Sequence, residues 1–198
     1  MMKEETIDVY YWTNEESNQT YFGQQDAMQE FSRDNRFPLL FEWVGKDNIV
    51  LDLGMNNGLI GNSIGKKNIV IGVDTPVVVM TFKKNYKNLV GIAGHVQEMP
   101  YLKDGYFDGV FAGDVLIHLK DPGACLREAH RVTKDKGFLI ISQPVKLSTR
   151  EGEFIYNDFH EDKMKALVES NGFEQVKIYY YKNVTTDGVM VKYKKVKK

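Results

Sequence analysis

The chain has a single cysteine, Cys125, in 198 residues. One thiol excludes a disulfide framework and any multi-cysteine zinc or iron–sulfur site, and it suits a reducing compartment. The four histidines are scattered, with no His-x3-His pair, so no metal site is expected. Charge of one sign is also missing. Against 26 basic residues stand 27 acidic ones, and the net charge of −1 gives no overall field to attract nucleic acid or an acidic membrane. No window approaches the ~18 consecutive apolar residues of a membrane span, and the opening Met1-Met2-Lys3-Glu4-Glu5 is acidic and polar. Fixed-period repeats, low-complexity tracts and long linkers are absent too. The expectation is a soluble, cytoplasmic protein, with one basic cluster, Lys192 to Lys198, read as a solvated tail.

What is present is core-forming material: 42% hydrophobic and 27% charged residues, over the length of one ordinary domain. From about residue 49, short apolar runs alternate with helical stretches. Asn48 to Leu53, Asn68 to Asp74, Asn88 to Ala93, Phe107 to Ala112 and Phe138 to Ser142 read as strands. Because these runs are continuous rather than alternating, they suit a parallel sheet covered by helices on both faces. Thr75-Pro76 and Asp121-Pro122 each read as an N-cap followed by proline in the first helical position. Gly137 reads as a left-handed C-cap after Lys134 to Lys136. Met164, Leu167 and Val168 form an apolar helical stripe closed by Asn171-Gly172. Val77-Val78-Val79 is β-branched, yet its position between strands predicts helix. The last two β-runs, Phe173 to Tyr181 and Val189 to Val196, are joined by a loop too short for a crossover helix and should pair antiparallel.

Residues 1–46 read as an N-terminal helical extension, and 47–198 as the main domain. Helix is expected at Gln24 to Ser32 and at Pro38 to Val44, ended by Gly45. The aromatics Tyr10, Tyr11, Trp12, Tyr21 and Phe22 suit packing against the sheet edge or a lid over a ligand.

The most informative segment is the strand–helix turn Asp52-Leu53-Gly54-Met55-Asn56-Asn57-Gly58. Glycines there let the backbone approach a ligand and take positive φ, while the helix start offers free N–H groups. Asp74 follows 22 positions after Asp52, at the carboxyl end of the next strand. A carboxylate there offers two acceptors to the two hydroxyls of a ribose, because adjacent parallel strands end side by side. Three more signals follow in order: Gly94-His95-Val96-Gln97-Glu98-Met99-Pro100, then Phe107 to Asp114, then Leu126-Arg127-Glu128-Ala129-His130-Arg131-Val132.

From Asn48 to Gly172 this ordered set resembles the class I (Rossmann-like) S-adenosylmethionine-dependent methyltransferases, in particular their small-molecule branch. The resemblance implies a doubly wound α/β fold: seven strands, mostly parallel, the last antiparallel, with helices on both faces. It implies S-adenosylmethionine as cofactor. Asp52, Gly54, Asn56 and Gly58 would shape the loop under its methionine part, Asp74 would hold the ribose, and His95 and Val96 would take the adenine. Ala112 and Gly113 would line the sulfonium side. Two positions depart from the family pattern. Asn56 stands where the middle glycine is usual, although asparagine is the side chain best able to adopt a left-handed conformation. His95 replaces an acid and gives up its charge assistance, while a neutral imidazole still accepts from adenine N6.

For catalysis, His118 and Asp114 lie just beyond the fourth strand, where ligands sit in open α/β sheets, and His118 is the preferred base. His160 and His130 read as structural, and Cys125 as a small buried group. The acceptor is expected to be a small molecule or a glycan, methylated at O or N. Its pocket would come from the N-terminal segment, from Val145 to Phe159 with Arg150, Tyr156 and Phe159, or from a partner chain. No nucleic-acid or membrane partner is expected, and the oligomeric state is not readable. A degenerate, non-catalytic binding or scaffold subunit is the alternative, prompted by Asn56 and His95. A nicotinamide oxidoreductase is disfavoured, because Gly54-Met55-Asn56-Asn57-Gly58 lacks the Gly-x-Gly-x-x-Gly pattern.

Overall fold

A computed structural model describes residues 36–81, 86–144, 157, 160–182 and 187–197. In chain order the described elements are helix α1 (Arg36–Val44), β1 (Ile49–Leu53), α2 (Leu59–Ile64), β2 (Ile69–Asp74), α3 (Pro76–Thr81), β3 (Val90–Ala93) and β4 (Phe107–Gly113). A 3-10 turn (Leu116–His118), α4 (Pro122–Val132), β5 (Thr133–Pro144), α5 (Glu161–Ser170), β6 (Phe173–Lys182) and β7 (Asp187–Lys195) complete them. Seven strands form one sheet in the order β3-β2-β1-β4-β5-β7-β6. The first five pair in parallel, and β7 runs antiparallel to both β5 and β6, as the sequence and the resemblance predict. The order reverses between β1 and β4, which puts the ligand crevice of such a sheet at their carboxyl ends.

Alternation along each buried strand supplies two cores. Leu51, Leu53, Val110 and Ala112 face α4 and α5, where they meet Leu126, Ala129, Met164 and Val168. Val50, Val70, Phe111, Ile140 and Met190 face the other side and meet α1 through Phe37, Leu40, Trp43 and Val44. Each of those four α1 side chains contributes about 1.5–3 kcal/mol by leaving water. Helix α1 thus covers the middle of one sheet face. It starts two residues before the predicted Pro38 and ends at Gly45, whose φ of +79° and N–H bond to the Phe41 carbonyl close the last turn. The helix predicted at Gln24 to Ser32 and the aromatics from Tyr10 to Phe22 lie outside the described residues.

The cap readings hold at Asp121, whose carboxylate accepts from the Ala124 N–H at 3.0 Å ahead of Pro122. The Val77 to Val79 run is helical. At Asn171-Gly172 the chain turns with Gly172 at φ +88°.

Two expectations are corrected. Helix α4 ends at Val132, and the left-handed residue of the following turn is Lys136 (φ +63°), not Gly137. Gly137 belongs to β5 and is required by close packing: a Cβ there would lie 2.6 Å from Thr133 Cγ2 and 2.8 Å from the Asp108 carbonyl oxygen. Most of the described part of the Lys192 to Lys198 cluster is not a solvated tail, since Lys192, Lys194 and Lys195 lie within β7. Lys192 Nζ sits over the Phe138 ring and donates to the Trp43 carbonyl at 2.6 Å, and burial lowers its pKa.

Candidate active site

The β1–α2 turn is built from left-handed residues. Gly54 (φ +68°), Asn56 (φ +48°) and Gly58 (φ +75°) carry the chain around it, so Asn56 adopts the conformation for which asparagine substitutes best among residues with a side chain. Gly54 N–H bonds to the Val73 carbonyl at 2.8 Å, which fastens the turn to the end of β2. Glycine is needed at 54 for space as well as φ, because a Cβ would lie 2.5 Å from Val115 Cγ2 just beyond β4. The tips of β1, β2 and β4 therefore meet at this turn.

Asp74 ends β2 with its carboxylate in the same place. One oxygen accepts from the Asn56 N–H at 2.8 Å and the other from the Thr75 N–H at 2.7 Å. Burial raises its pKa, and these bonds work against the shift. The Thr75 side chain also bonds to this carboxylate, so three of its roughly four acceptor sites are engaged and about one is left for a ribose hydroxyl. Asp52, next to the turn, is 2% exposed and faces α2, where a Cβ on Gly61 would lie 2.7 Å from its Oδ2. That oxygen has no hydrogen-bond partner. Burial, with the nearby Asp74 charge, pushes the Asp52 pKa up to about 8.

After β3, Gly94 N–H bonds to the Asp74 carbonyl at 2.8 Å, which ties the start of the 94–100 loop to the end of β2. The His95 side chain is exposed, and Val96 is buried on the α4 face. This loop is fixed by two residues not predicted to belong to the site. Glu128 accepts from the Met99 N–H at 2.6 Å, and Arg131 donates to the Met99 and Leu102 carbonyls at 2.7 Å each. Arg131 also holds Glu128 through Nε and Nη2 at 2.8 Å each. The available signal was their i, i+3 spacing of opposite charge on one helix face.

At β4, Ala112 is buried toward α4, and Gly113 opens on the α1 side. Asp114 follows with φ +56°, and its N–H bonds to the Ser142 carbonyl at 2.7 Å. Arg36 reaches it from α1: Nη1 lies 3.6 Å from Asp114 Oδ2, 3.1 Å from Ser142 Oγ and 3.0 Å from Tyr181 Oη. A cavity of about 50 Å³ opens among Arg36, Asp114, Gly113 and Ser142. Arg36, Ser142 and Tyr181 were missed in the sequence because they come from three distant segments without a shared motif.

His118 lies on the 3-10 turn and is half-buried. Asn157 clamps that turn, its N–H bonding to the Ile117 carbonyl at 3.2 Å and its side-chain amide to the Leu116 and Leu119 carbonyls at 3.3 and 2.5 Å. His160 starts α5 with its side chain exposed, and His130 packs structurally, with Nε2 3.1 Å from the Val196 carbonyl oxygen and its ring edge-on to Phe173. Cys125 is buried and its thiol pKa is pushed up to about 12 by burial and then by Glu128, so it is no nucleophile at neutral pH. Arg150, Tyr156 and Phe159 lie outside the described residues. Among the described residues there is no cluster of three or more His, Cys, Asp or Glu side chains that could hold a metal, and no helix long and apolar enough to cross a membrane.

This sheet order is that of the class I methyltransferase fold, and residues 51–141, just under half of the chain, match a family model described as a methyltransferase domain. Solved structures agree in fold. The Burkholderia thailandensis 1,6-didemethyltoxoflavin N1-methyltransferase, with 1,6-didemethyltoxoflavin and S-adenosylhomocysteine bound, is 17% identical with a TM-score of 0.78, over 100% of this chain and 92% of that one. An S-adenosylmethionine-dependent methyltransferase from Aquifex aeolicus is 21% identical with a TM-score of 0.65, over 81% and 89%. The [4+2]-cyclase SpnF is 15% identical with a TM-score of 0.67, over 79% and 80%. No curated protein matches the sequence.

Proposed function

We propose that this chain transfers a methyl group from S-adenosylmethionine to an oxygen or nitrogen of a small molecule or glycan. The observation that carries this reading is the Asp74 carboxylate, held at the tip of β2 by the Asn56 and Thr75 N–H groups beside a left-handed turn. The residues present suit the cofactor: a carboxylate at the strand tip with an acceptor site open to a ribose hydroxyl, and a turn whose backbone is already bent. Bound there, the cofactor supplies an electron-poor methyl group on a sulfonium.

The chain's own part is binding and aim. Asp74 takes the ribose, the 54–58 turn underlies the methionine part, and the loop from Gly94 to Val96, braced by Glu128 and Arg131, borders the adenine. The gain from such a site is orientation, since an in-line displacement needs the nucleophile held against the methyl group. Asp114, at the tip of β4, is the better-placed group to accept a proton from the acceptor; His118 lies on a separately clamped turn and is the second candidate.

Calorimetric titration with S-adenosylmethionine and S-adenosylhomocysteine tests the reading. One site per chain for both is expected. No heat from either, with the protein folded, favours the alternative of a non-catalytic scaffold, which the exposed His95 in place of an acid supports.

A further inference from the structure

We propose that Tyr101 is a positioning residue for the base of the cofactor: its ring tip, pressed onto Gly94, sets where the turn 95–98 lies and so which base that turn accepts. This rests on the methyltransferase reading and deepens it on the adenine side. Three observations carry it.

The first is contact. A Cβ on Gly94 would lie 1.8 Å from Tyr101 Oη, 2.7 Å from Cζ and 3.2 Å from Cε1, so the end of the ring lies directly on the Gly94 backbone. Gly94 does not have a positive φ, so glycine is required there for space and not for conformation. The ring is 48% exposed; it forgoes much of the gain from burial and covers Gly94 instead.

The second is support. Tyr101 lies between two residues whose main chain is held from α4. Glu128 accepts from the Met99 N–H at 2.6 Å, and Arg131 donates to the Met99 and Leu102 carbonyls at 2.7 Å each. Leu102 N–H closes a turn onto the Met99 carbonyl at 2.9 Å, and both side chains are buried in the core on that face. The backbone on either side of Tyr101 is thus fixed, and its ring bears on Gly94 as a stop.

The third is what the stop acts on. Gly94 N–H bonds to the carbonyl of Asp74, the proposed ribose acceptor, at 2.8 Å. Beyond Gly94 the chain turns back at once: Glu98 N–H bonds to the His95 carbonyl at 3.1 Å, and these two residues form an antiparallel bridge. The turn 95–98 is therefore held at one end by Tyr101 on Gly94 and at the other by Glu128 and Arg131 on Met99. A turn fixed at both ends presents its main-chain groups in one place, which favours a base whose edge matches them over one whose edge does not.

The test titrates the full chain with three ligands. They are S-adenosylhomocysteine, S-inosylhomocysteine, in which an oxo group replaces the adenine N6 amine, and 2′-deoxy-S-adenosylhomocysteine, which keeps the base and loses one ribose hydroxyl. The wild type is expected to bind the adenine compound at least about tenfold tighter than the inosine one. In Tyr101→Ala that preference should fall to about threefold or less, while the preference for ribose over 2′-deoxyribose stays as in the wild type. Tyr101→Phe keeps the ring on Gly94 and should retain the wild-type preference. Gly94→Ala displaces the ring and should lose it as Tyr101→Ala does, with no further loss in the double variant, since both changes remove the same contact. If Gly94→Ala fails to fold, the Tyr101 variants decide alone. No base preference in the wild type, an unchanged one in Tyr101→Ala, or a Tyr101→Phe variant as poor as Tyr101→Ala overturns the proposal. Without ligand, Tyr101→Ala should speed hydrogen exchange of the Gly94 amide by at least about tenfold, and an unchanged rate also overturns it. Absence of S-adenosylhomocysteine binding to the wild type would instead defeat the methyltransferase reading, and the exchange result then decides whether Tyr101 fixes the turn.

Discussion

The two sides of the crevice are built in opposite ways. On the β1–β2 side, the working parts are backbone: a turn of left-handed residues, N–H groups fixed on one carboxylate, and a loop tied to the Asp74 carbonyl. On the β4–β5 side they are side chains from four separate elements, drawn together by a single guanidinium nitrogen. A backbone site is specified within a few residues of sequence and tolerates change in the side chains around it. A side-chain site depends on tertiary packing, so it can change without disturbing the backbone turn on the other side.

That contrast can be broken by substitution, and the largest effect is expected at Asp74. Asp74→Ala removes the proposed ribose acceptor and the anchor of the Asn56 and Thr75 N–H groups. It should weaken S-adenosylhomocysteine binding by about 1.5–3 kcal/mol, read by calorimetry, with the fold intact by circular dichroism.

Asp52 gives the next effect, on stability. Its folded pKa of about 8 lies above the ordinary 3.8, so between those values the folded state holds a proton that the unfolded chain has released. Its contribution to stability is therefore complete below about pH 4 and is lost as pH rises toward 8. Asp52→Asn, which cannot ionise, should raise Tm more at pH 8 than at pH 5 in thermal melts. An equal change at both would mean that burial does not hold the proton.

Asn157→Ala removes the side-chain clamp on the 116–119 turn and should cost about 1–2 kcal/mol in denaturant unfolding, without changing cofactor affinity. The smallest effect is at Asn56. Asn56→Gly relieves a left-handed side chain and should stabilise by about 0.5–1 kcal/mol, with S-adenosylhomocysteine affinity unchanged because the N–H to Asp74 remains. Tighter binding would instead show that the asparagine side chain crowds the cofactor.

How legible each part was follows from the same contrast. The strands and their parallel order could be read because burial on both faces leaves continuous apolar runs, and the antiparallel end because its loop is short. The turn from Asp52 to Gly58 and the acid at Asp74 could be read because their chemistry is local. Gly137 was misread as a cap because a glycine after a helix looks the same whether it serves φ or close packing, and here Lys136 took the left-handed place. The Lys192 to Lys198 cluster was misread because a lysine can bury its alkyl stem along an aromatic ring and keep its ammonium on a carbonyl. Arg36, Ser142 and Tyr181 carried no signal, since only the folded sheet brings position 36 to positions 142 and 181.

The most direct measurement is the affinity of the wild-type protein for S-adenosylhomocysteine against its 2′,3′-dideoxy analogue, repeated in Asp74→Ala. If the carboxylate takes the diol, the analogue binds about 10- to 100-fold more weakly to the wild type, and the gap closes in the variant. Equal affinities in the wild type would contradict the account.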